Sequence, residues 1–195
     1  MIEVSQKCPE VWYIKNLFDE EMFEGILDEF LPWHSQWVFD KHENPNDPIF
    51  GMLMDCHDHT RSWPFSKNFQ FIRASTFAKL HLQKILKRNL RLIRINTNIQ
   101  FHGQDSAFHT DDDYFVDNDD ARCWTCVVFS EYDWDATWGG QIEIQTEENS
   151  EDYIALPFSP NCAVLFDGSL EHRGLAPNRF AQCERKTLAF LFEEV

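Results

Sequence analysis

Six short β-like segments in the second half of the chain constrain the fold more than any other feature of the sequence. They are rich in β-branched and aromatic residues, and turn residues separate each segment from the next. In chain order they are LRLIRINTNI, RCWTCVVFS, GQIEIQT, YIALPF, NCAVLFDG and KTLAFLF, and the first begins at residue 90. Short strands that recur in this way predict an antiparallel sandwich or barrel.

A helix is predicted within residues 17–31. Asp19 is a suitable N-cap, acidic residues follow it in the first turn, and Pro32 ends the helix. One apolar face recurs at helical spacing and consists of Phe23, Ile26, Leu27, Phe30 and Leu31. This face predicts packing of the helix against a core.

A second helix is predicted at about residues 69–89, with Lys and Arg near its C-terminal end. Residues 35–68 are rich in Pro, Asn, Asp and Trp without a sustained period, which indicates loop or short irregular pieces. We expect a single domain in which residues 1–89 form a helical and irregular support for a β core of residues 90–195.

The net charge of −16 opposes binding to nucleic acid or anionic membranes, and it favours small molecules or basic peptides as partners. No apolar run approaches a membrane span, and the N-terminal residues lack signal-peptide features, so a cytoplasmic location is expected. The six cysteines are scattered, as in proteins with reduced thiols. Cys123 and Cys126 lie three apart on a predicted strand and should face opposite sides, which disfavours a zinc or redox pair.

An HxD pair, His109 and Asp111, lies just after a glycine-containing loop. Two such side chains form part of a 2-His-1-carboxylate facial triad, which needs one further imidazole. His172 is the suitable partner because it follows the apolar segment NCAVLFDG and precedes the turn-forming GLAPN. The other histidines lie in the N-terminal half, in a helix or in the preceding loop; the HDH at 57–59 is better explained by loop packing.

Arg185 opens the last predicted strand, thirteen residues after His172. At period two it shares a face with Thr187, Ala189 and Leu191. A buried guanidinium is costly unless paired, and its planar fork suits a carboxylate held by two hydrogen bonds. The alternative is an exposed arginine at a strand end beside Lys186.

From about residue 94 to 192, these features together resemble the Fe(II)- and 2-oxoglutarate-dependent dioxygenases, and within them the prolyl 4-hydroxylase superfamily that includes the HIF prolyl hydroxylases. The matching pieces are FHTD, DARCWTCVVFSEYDWDATWGGQIEI, PFSPNCAVLFDG, His172 and RKTLAFLF. The resemblance implies a double-stranded β-helix, or jelly roll, braced by the N-terminal helices.

The resemblance also implies site residues and chemistry. Iron would be bound by His109, Asp111 and His172, and the distal carboxylate of 2-oxoglutarate by Arg185, with Thr187 adding a hydroxyl. The expected reaction consumes O2 and hydroxylates an unactivated C–H bond, with succinate and CO2 as co-products. The expected target is a prolyl residue in a protein or peptide, and ascorbate is a further cofactor that the family implies.

Three positions depart from or extend the HIF-enzyme pattern. Phe129 replaces a tyrosine that hydrogen-bonds 2-oxoglutarate, so that bond is either missing or supplied by another residue, with Gln100 and Asn98 as the candidates. Leu191 replaces a tryptophan of the proline pocket, and Arg122 matches an arginine near the substrate entrance. We therefore predict that Arg122 and Leu191 contact the substrate.

Several alternatives stay open at this stage. The same chemistry can act on a small molecule or a free amino acid, and a jelly-roll module can bind a ligand without catalysis. A nucleic-acid demethylase is disfavoured because Thr187 and Leu191 replace its Asn and second Arg. The acidic residues from Asp112 to Asp120 read as a solvated loop rather than a calcium site. Residues 35–68, with Trp33 just before them, form either ordinary packing or a lid.

Overall fold

The computed structural model describes residues 1–31, 38–39, 52–58, 69–112 and 122–195, with the backbone alone for 38–39 and 52–58. Within these ranges the fold is mostly β-sheet with two α-helices. The helices are α1 (Glu20–Glu29) and α2 (Phe69–Leu86). The strands are β1 (Glu3–Cys8), β2 (Val11–Lys15), β3 (Val38–Phe39), β4 (Met52–Asp58), β5 (Leu90–Gln100), β6 (Cys123–Phe129), β7 (Ile142–Gln145), β8 (Tyr153–Leu156), β9 (Ala163–Asp167), β10 (His172–Gly174) and β11 (Arg185–Glu194).

Two antiparallel sheets form the β core. The main sheet has the order β1-β2-β9-β6-β11-β5-β4-β3, and the smaller sheet has the order β10-β7-β8. The last strand of the chain therefore lies in the middle of the main sheet, between β5 and β6. Strands distant in sequence become neighbours in this arrangement, as in a jelly roll.

The predicted helices are confirmed. The side chain of Asp19 accepts a hydrogen bond from the Met22 N–H, which satisfies one of the free donors at the start of α1. Phe23 and Ile26 of α1 are buried and pack with residues of α2 and of the main sheet. Both helices thus cover one face of the main sheet, as the amphipathic pattern predicted.

The opposite face of the main sheet packs against the smaller sheet. A second core cluster joins Val127, Phe129 and Ala189 of the main sheet to Ile142 and Ile144 of β7. Because side chains alternate along a strand, β11 directs Arg185, Thr187, Ala189 and Leu191 to this inner side. Its other residues, Leu188, Phe190 and Phe192, pack under the helices. The space between the sheets is where a site can form.

Two expectations about the N-terminal half need correction. Residues 1–89 are not only helical and irregular, since β1 and β2 form a hairpin that extends the main sheet through pairing of β2 with β9. Within 35–68, described backbone at 52–58 forms β4, which pairs with β5. The hairpin lacks strict alternation because β1 is exposed on both faces, which hides it from a periodicity search. The division into one domain stays a prediction.

Candidate active site

His109 and His172 are brought together by direct backbone pairing. The N–H of each donates to the carbonyl of the other, at N···O distances of 3.1 Å and 2.9 Å. Their rings lie 4.3 Å apart between centroids. Ser106 reinforces this register, because its N–H and hydroxyl both donate to the Gly174 carbonyl and its hydroxyl accepts from the Gly174 N–H. The separation of the two imidazoles is therefore set by main-chain geometry.

Asp111 completes a three-residue cluster. Its backbone N–H donates to the Gly168 carbonyl at 2.8 Å, which fixes the chain just beyond His109. Its Oδ2 lies 3.5 Å from His172 Nε2 and accepts a 2.5 Å hydrogen bond from the Thr125 hydroxyl. One ligand atom from each of His109, Asp111 and His172 lies within 4.8 Å of the others.

The orientation of the two histidine rings suits metal binding. In each ring, Nδ1 lies within hydrogen-bond distance of the backbone carbonyl oxygen two residues earlier. The distance is 3.1 Å from His109 to Ala107 and 3.0 Å from His172 to Leu170. This leaves Nε2 free as a ligand atom, the arrangement usual for metal-bound imidazoles. Burial lowers the pKa of His172 to about 4, so its imidazole is neutral at pH 7. Two imidazoles and one carboxylate form the donor set of a facial triad for Fe(II).

Arg185 lies at the start of β11 and is 3% exposed. Its Nε donates to the Gly140 carbonyl at 2.7 Å, and its Nη1 donates to Gln100 Oε1 at 2.5 Å. Both partners are neutral, and among the described residues no carboxylate pairs with it. Burial without such a partner lowers the pKa of Arg185 to about 9. A guanidinium in this state has the hydrogen-bond donors and the charge to bind a carboxylate.

Three glycines allow this close packing. Gly140 has a φ of +76°, and a Cβ there would lie 2.5 Å from the Trp134 ring. A Cβ on Gly174 would lie 3.1 Å from Arg185 Nη1. A Cβ on Gly168 would meet Cys123 Sγ at 2.6 Å, beside Asp111. The backbone can approach the arginine and the Asp111 turn only because these side chains are absent.

A family model described as "2OG-Fe(II) oxygenase superfamily" matches residues 97–193. This range contains both histidines, Asp111 and Arg185. The chain belongs to the 2OG-Fe(II) oxygenase superfamily. Members of this superfamily use Fe(II) and 2-oxoglutarate, and the His-Asp-His triad is present here. The resemblance drawn from the sequence is confirmed. No curated protein sequence matches the chain.

Solved oxygenase structures share the fold at low sequence identity. A Pseudomonas putida prolyl-4-hydroxylase is 14% identical, with a TM-score of 0.64 over 95% of this chain and 93% of that one. A Trichoplax adhaerens prolyl hydroxylase, in complex with a hypoxia-inducible-factor peptide, is 12% identical, with a TM-score of 0.65 over 95% and 83%. A non-heme α-ketoglutarate-dependent epimerase of nogalamycin biosynthesis is 11% identical, with a TM-score of 0.69 over 94% and 77%. The jelly-roll prediction is thereby confirmed.

Other residues predicted to contact 2-oxoglutarate lie around Arg185. Thr187 is 1% exposed and pairs with Asn98 on β5 and with Phe129 on β6. The Phe129 ring lies 5.9 Å from Arg185 Cζ, and the Phe158 ring, which was not predicted, lies 5.7 Å from it. Gln100 is fully buried, and its amide hydrogen-bonds to Arg185 and to two backbone carbonyls. Apart from Gln100, whose amide has no free donor, the roles of these residues stay predictions.

The two residues predicted to contact substrate have different surroundings. Leu191 is 4% exposed and packs with Ile93 and Cys123, whose Sγ lies 3.8 Å from the Asp111 carbonyl. Arg122 has partners inside the protein: Asp167 at 2.5 Å, Glu10 at 3.2 Å and the face of the Trp124 ring. Arg122 thus has a structural function in this oxygenase, and its contact with substrate stays a prediction.

Sequence reasoning missed Thr125, Ser106 and Gly140. Thr125 stands alone as a polar residue within the buried strand β6, and that buried polar position was the available signal. The GG at 139–140 was noted as part of a matching segment, but its carbonyl contact to Arg185 depends on tertiary structure. Cys123 and Cys126 are free and belong to clusters on opposite faces of the main sheet, as the strand pattern predicted.

Some predictions concern residues that lie outside the described ranges. They are the aromatic residues Trp33, Trp37, Trp63 and Phe65, the histidines His34, His42 and His59, and the acidic residues Asp113, Asp117, Asp119 and Asp120. The side chain of His57 is likewise not described. The question of a lid at 35–68 therefore stays a prediction. No helix in the described part of the chain has the length and apolarity of a transmembrane span.

Proposed function

We propose that this oxygenase binds Fe(II) through His109, Asp111 and His172, binds 2-oxoglutarate through Arg185, and hydroxylates a prolyl residue in a protein or peptide. The observation that carries the proposal is the combination of an open His-Asp-His cluster with a buried arginine that has no carboxylate partner among the described residues. A protein that only bound a ligand would need neither open metal positions nor an arginine directed at a second carboxylate.

Each protein residue has a separate task in this proposal. The iron, when bound, supplies the activation of O2 that couples decarboxylation of 2-oxoglutarate to C–H hydroxylation. His109 and His172 present Nε2 because their Nδ1 atoms are held by backbone carbonyls. Thr125 orients the Asp111 carboxylate. Arg185, with Thr187 beside it, holds the distal carboxylate, and the Phe129 and Phe158 rings exclude water from that end.

A peptide target is supported by the chain's acidity and by one similar structure. The net charge of −16 favours a basic segment as partner. The Trichoplax adhaerens enzyme was solved with a peptide fragment. We expect proline to be the residue modified, O2 to be consumed, and ascorbate to maintain the iron in its reduced state, with the protein in the cytoplasm.

A small-molecule substrate is the second candidate. Leu191 stands where the HIF enzymes carry a tryptophan of their proline pocket, which weakens the case for proline. One similar structure is an epimerase of nogalamycin biosynthesis. The same iron and 2-oxoglutarate chemistry would then act on a small apolar ligand or a free amino acid.

The test uses the full chain loaded with Fe(II), 2-oxoglutarate and ascorbate under air. Succinate is measured by NMR, first alone, then with a peptide library screened by mass spectrometry for the gain of one oxygen atom. We expect slow succinate formation without substrate, and its loss in His109→Ala and Arg185→Ala. Matched controls are His81→Ala and Arg179→Ala, which change the same residue types away from the cluster.

The outcomes separate the alternatives. Oxygen gain confined to proline-containing peptides supports the prolyl assignment. Oxygen gain only in small molecules supports the second candidate. Binding of 2-oxoglutarate without any succinate would leave a non-catalytic binding module, and succinate formation unchanged by His109→Ala would overturn the metal assignment.

A further inference from the structure

Gln100 is a fully buried amide next to the arginine of the site. Its Oε1 accepts from Arg185 Nη1 at 2.5 Å, and its Nε2 donates to the carbonyls of Gln104 at 2.8 Å and Gly174 at 3.1 Å. An amide nitrogen has two hydrogens, and both are used. Gln100 therefore has no donor left to offer a bound carboxylate.

These bonds determine which part of the guanidinium is available. Gly140 occupies Nε–H, and Gln100 occupies one hydrogen of Nη1. Among the described residues, the N–H groups without a partner are those of Nη2 and the second hydrogen of Nη1, at the end of the fork. These two nitrogens form the edge that can bind a carboxylate through two parallel hydrogen bonds.

The surroundings prevent the guanidinium from turning away from this direction. The Gly174 backbone is so close that a Cβ would lie 3.1 Å from Arg185 Nη1 and 3.2 Å from Gln100 Oε1. Cross-strand pairing makes Arg185 and Gln100 direct neighbours on β11 and β5. The amide of Gln100 is in turn held by two backbone carbonyls, so its orientation is fixed as well.

The neutrality of Gln100 has an electrostatic consequence. Its amide orients Arg185 while leaving the positive charge unmatched, and burial makes that charge costly until an anion arrives. A carboxylate at the same position would form an ion pair with Arg185 and neutralise the charge of its guanidinium. The choice of Gln over Glu thus keeps the arginine available.

We propose that Gln100 is a positioning residue that acts through Arg185: it directs one edge of the guanidinium into the site and so selects a dicarboxylate of the length of 2-oxoglutarate. This inference rests on the proposed function and replaces the direct hydrogen bond to 2-oxoglutarate predicted for Gln100 from the sequence. It assigns to Gln100 a contribution to ligand selection rather than contact with the ligand.

The test measures binding to the full chain loaded with Mn²⁺, which avoids turnover. Dissociation constants are determined by calorimetry for 2-oxoglutarate, for oxaloacetate, which is one carbon shorter, and for 2-oxoadipate, which is one carbon longer. We expect Gln100→Glu to weaken 2-oxoglutarate binding about 100-fold, because an internal ion pair replaces the external one. Gln100→Leu should weaken 2-oxoglutarate binding about 10-fold and bring the dissociation constants of the three acids closer together.

Two controls separate positioning from a general loss of structure. Mn²⁺ affinity should stay unchanged in both variants, because Gln100 does not contact the His-Asp-His cluster. Gln6→Glu introduces the same charge on the exposed strand β1 and should leave all constants unchanged. If Gln100→Glu fails to bind Mn²⁺, Gln100→Leu decides by the same criteria.

The outcomes also distinguish this inference from the proposed function. A wild-type protein that binds none of the three acids would overturn the proposed function itself. Wild-type affinity and acid preference in a Gln100 variant that still binds Mn²⁺ would overturn only the role of Gln100. An equal loss for all three acids would also overturn it, because selection by length would then be absent.

Discussion

Two arginines at the main sheet differ in the partners that surround their charge: Arg122 is partly exposed and Arg185 is buried. Near the start of β6, Arg122 pairs with Asp167 and Glu10, and Asp167 also accepts from the Ser169 N–H and hydroxyl. In the candidate site, Arg185 has only neutral partners, and Asp111 contacts a hydroxyl and an imidazole but no Lys or Arg of the described chain. The charges of the first region are matched within the protein, whereas among the described residues those of the second have no oppositely charged Lys, Arg, Asp or Glu partner.

The pKa shifts of the two arginines express this difference. Burial opposes the charge of Arg122, but the carboxylates of Asp167 and Glu10 outweigh it and raise its pKa. Burial alone acts on Arg185 and lowers its pKa to about 9. The carboxylates beside Arg122 offset at least part of its desolvation cost, whereas no carboxylate of the described residues does so for Arg185. Unmatched buried charge therefore marks the ligand site.

The largest effect should follow removal of the unmatched charge. Arg185→Ala is expected to weaken 2-oxoglutarate binding by about 100-fold or more, since a buried charge-assisted pair is lost. Arg185→Lys should recover only part of it, because an ammonium lacks the planar fork. Calorimetry on the Mn²⁺-loaded protein measures both dissociation constants for 2-oxoglutarate. A wild-type value in Arg185→Ala would show that the unpaired arginine does not bind this ligand.

A smaller effect is expected on the metal side. Thr125→Val preserves volume and removes the hydroxyl that orients Asp111. Metal affinity should fall about 10- to 100-fold, the range typical for residues that orient metal ligands. Competition of Mn²⁺ binding against a chelator measures it, with Thr76→Val on the exposed face of α2 as control. Unchanged Mn²⁺ affinity would show that Asp111 needs no such support.

Acidic pH should lower the free energy of unfolding, because the folded protein keeps His172 neutral. Its pKa is about 4 when folded, against 6.5 in an unfolded chain, so the unfolded state binds a proton first. Stability of the metal-free protein is therefore complete above pH 6.5 and falls as pH decreases toward about 4, by roughly 3 kcal/mol. Denaturant melts across this range measure it. His172→Gln should flatten this part of the profile, and an equally steep profile in that variant would assign the loss to other groups.

The smallest effect is expected for substitution of Arg122, which is paired with Asp167 and Glu10. Arg122→Ala is expected to lower the free energy of unfolding by about 1 kcal/mol, because the side chain is partly exposed and its pairs are screened by solvent. The dissociation constant for 2-oxoglutarate should not change, since Arg122 does not contact Arg185. Chemical denaturation and calorimetry of this one variant test both statements. A large loss of 2-oxoglutarate binding would show that the two regions are coupled.

Much of the fold could be predicted from local pattern. The N-cap at Asp19, the apolar face of α1 and the six later strands all follow from residue spacing, and the structure confirms them. The hairpin β1–β2 and the strands β3, β4 and β10 were missed. β1 is exposed along its length, and β3 and β10 have only two and three residues, so these strands lack the alternating pattern that marks a half-buried strand.

Prediction of the site depended on how each residue is recognised. His109, Asp111, His172 and Arg185 have side chains that can bind a metal or a carboxylate and follow one another in the order of the family pattern, so motif and order were sufficient to select them. Thr125, Gly140 and Gly174 act through a single hydroxyl, a carbonyl or the absence of a side chain. These functions exist only when distant strands approach one another, and residue type alone does not reveal them.

The sequence by itself determined which groups are available: two imidazoles, a carboxylate and an arginine, in an order typical of this superfamily. The tertiary structure decided how each group is presented. Backbone pairing between residues 109 and 172 sets the spacing of the imidazoles. Gln100, which the sequence suggested as a donor to 2-oxoglutarate, has both donors bound to backbone carbonyls and its oxygen on Arg185. A hydrogen-bonding group can serve only the partner that the folded chain brings within reach, and that geometry arises from packing rather than from composition.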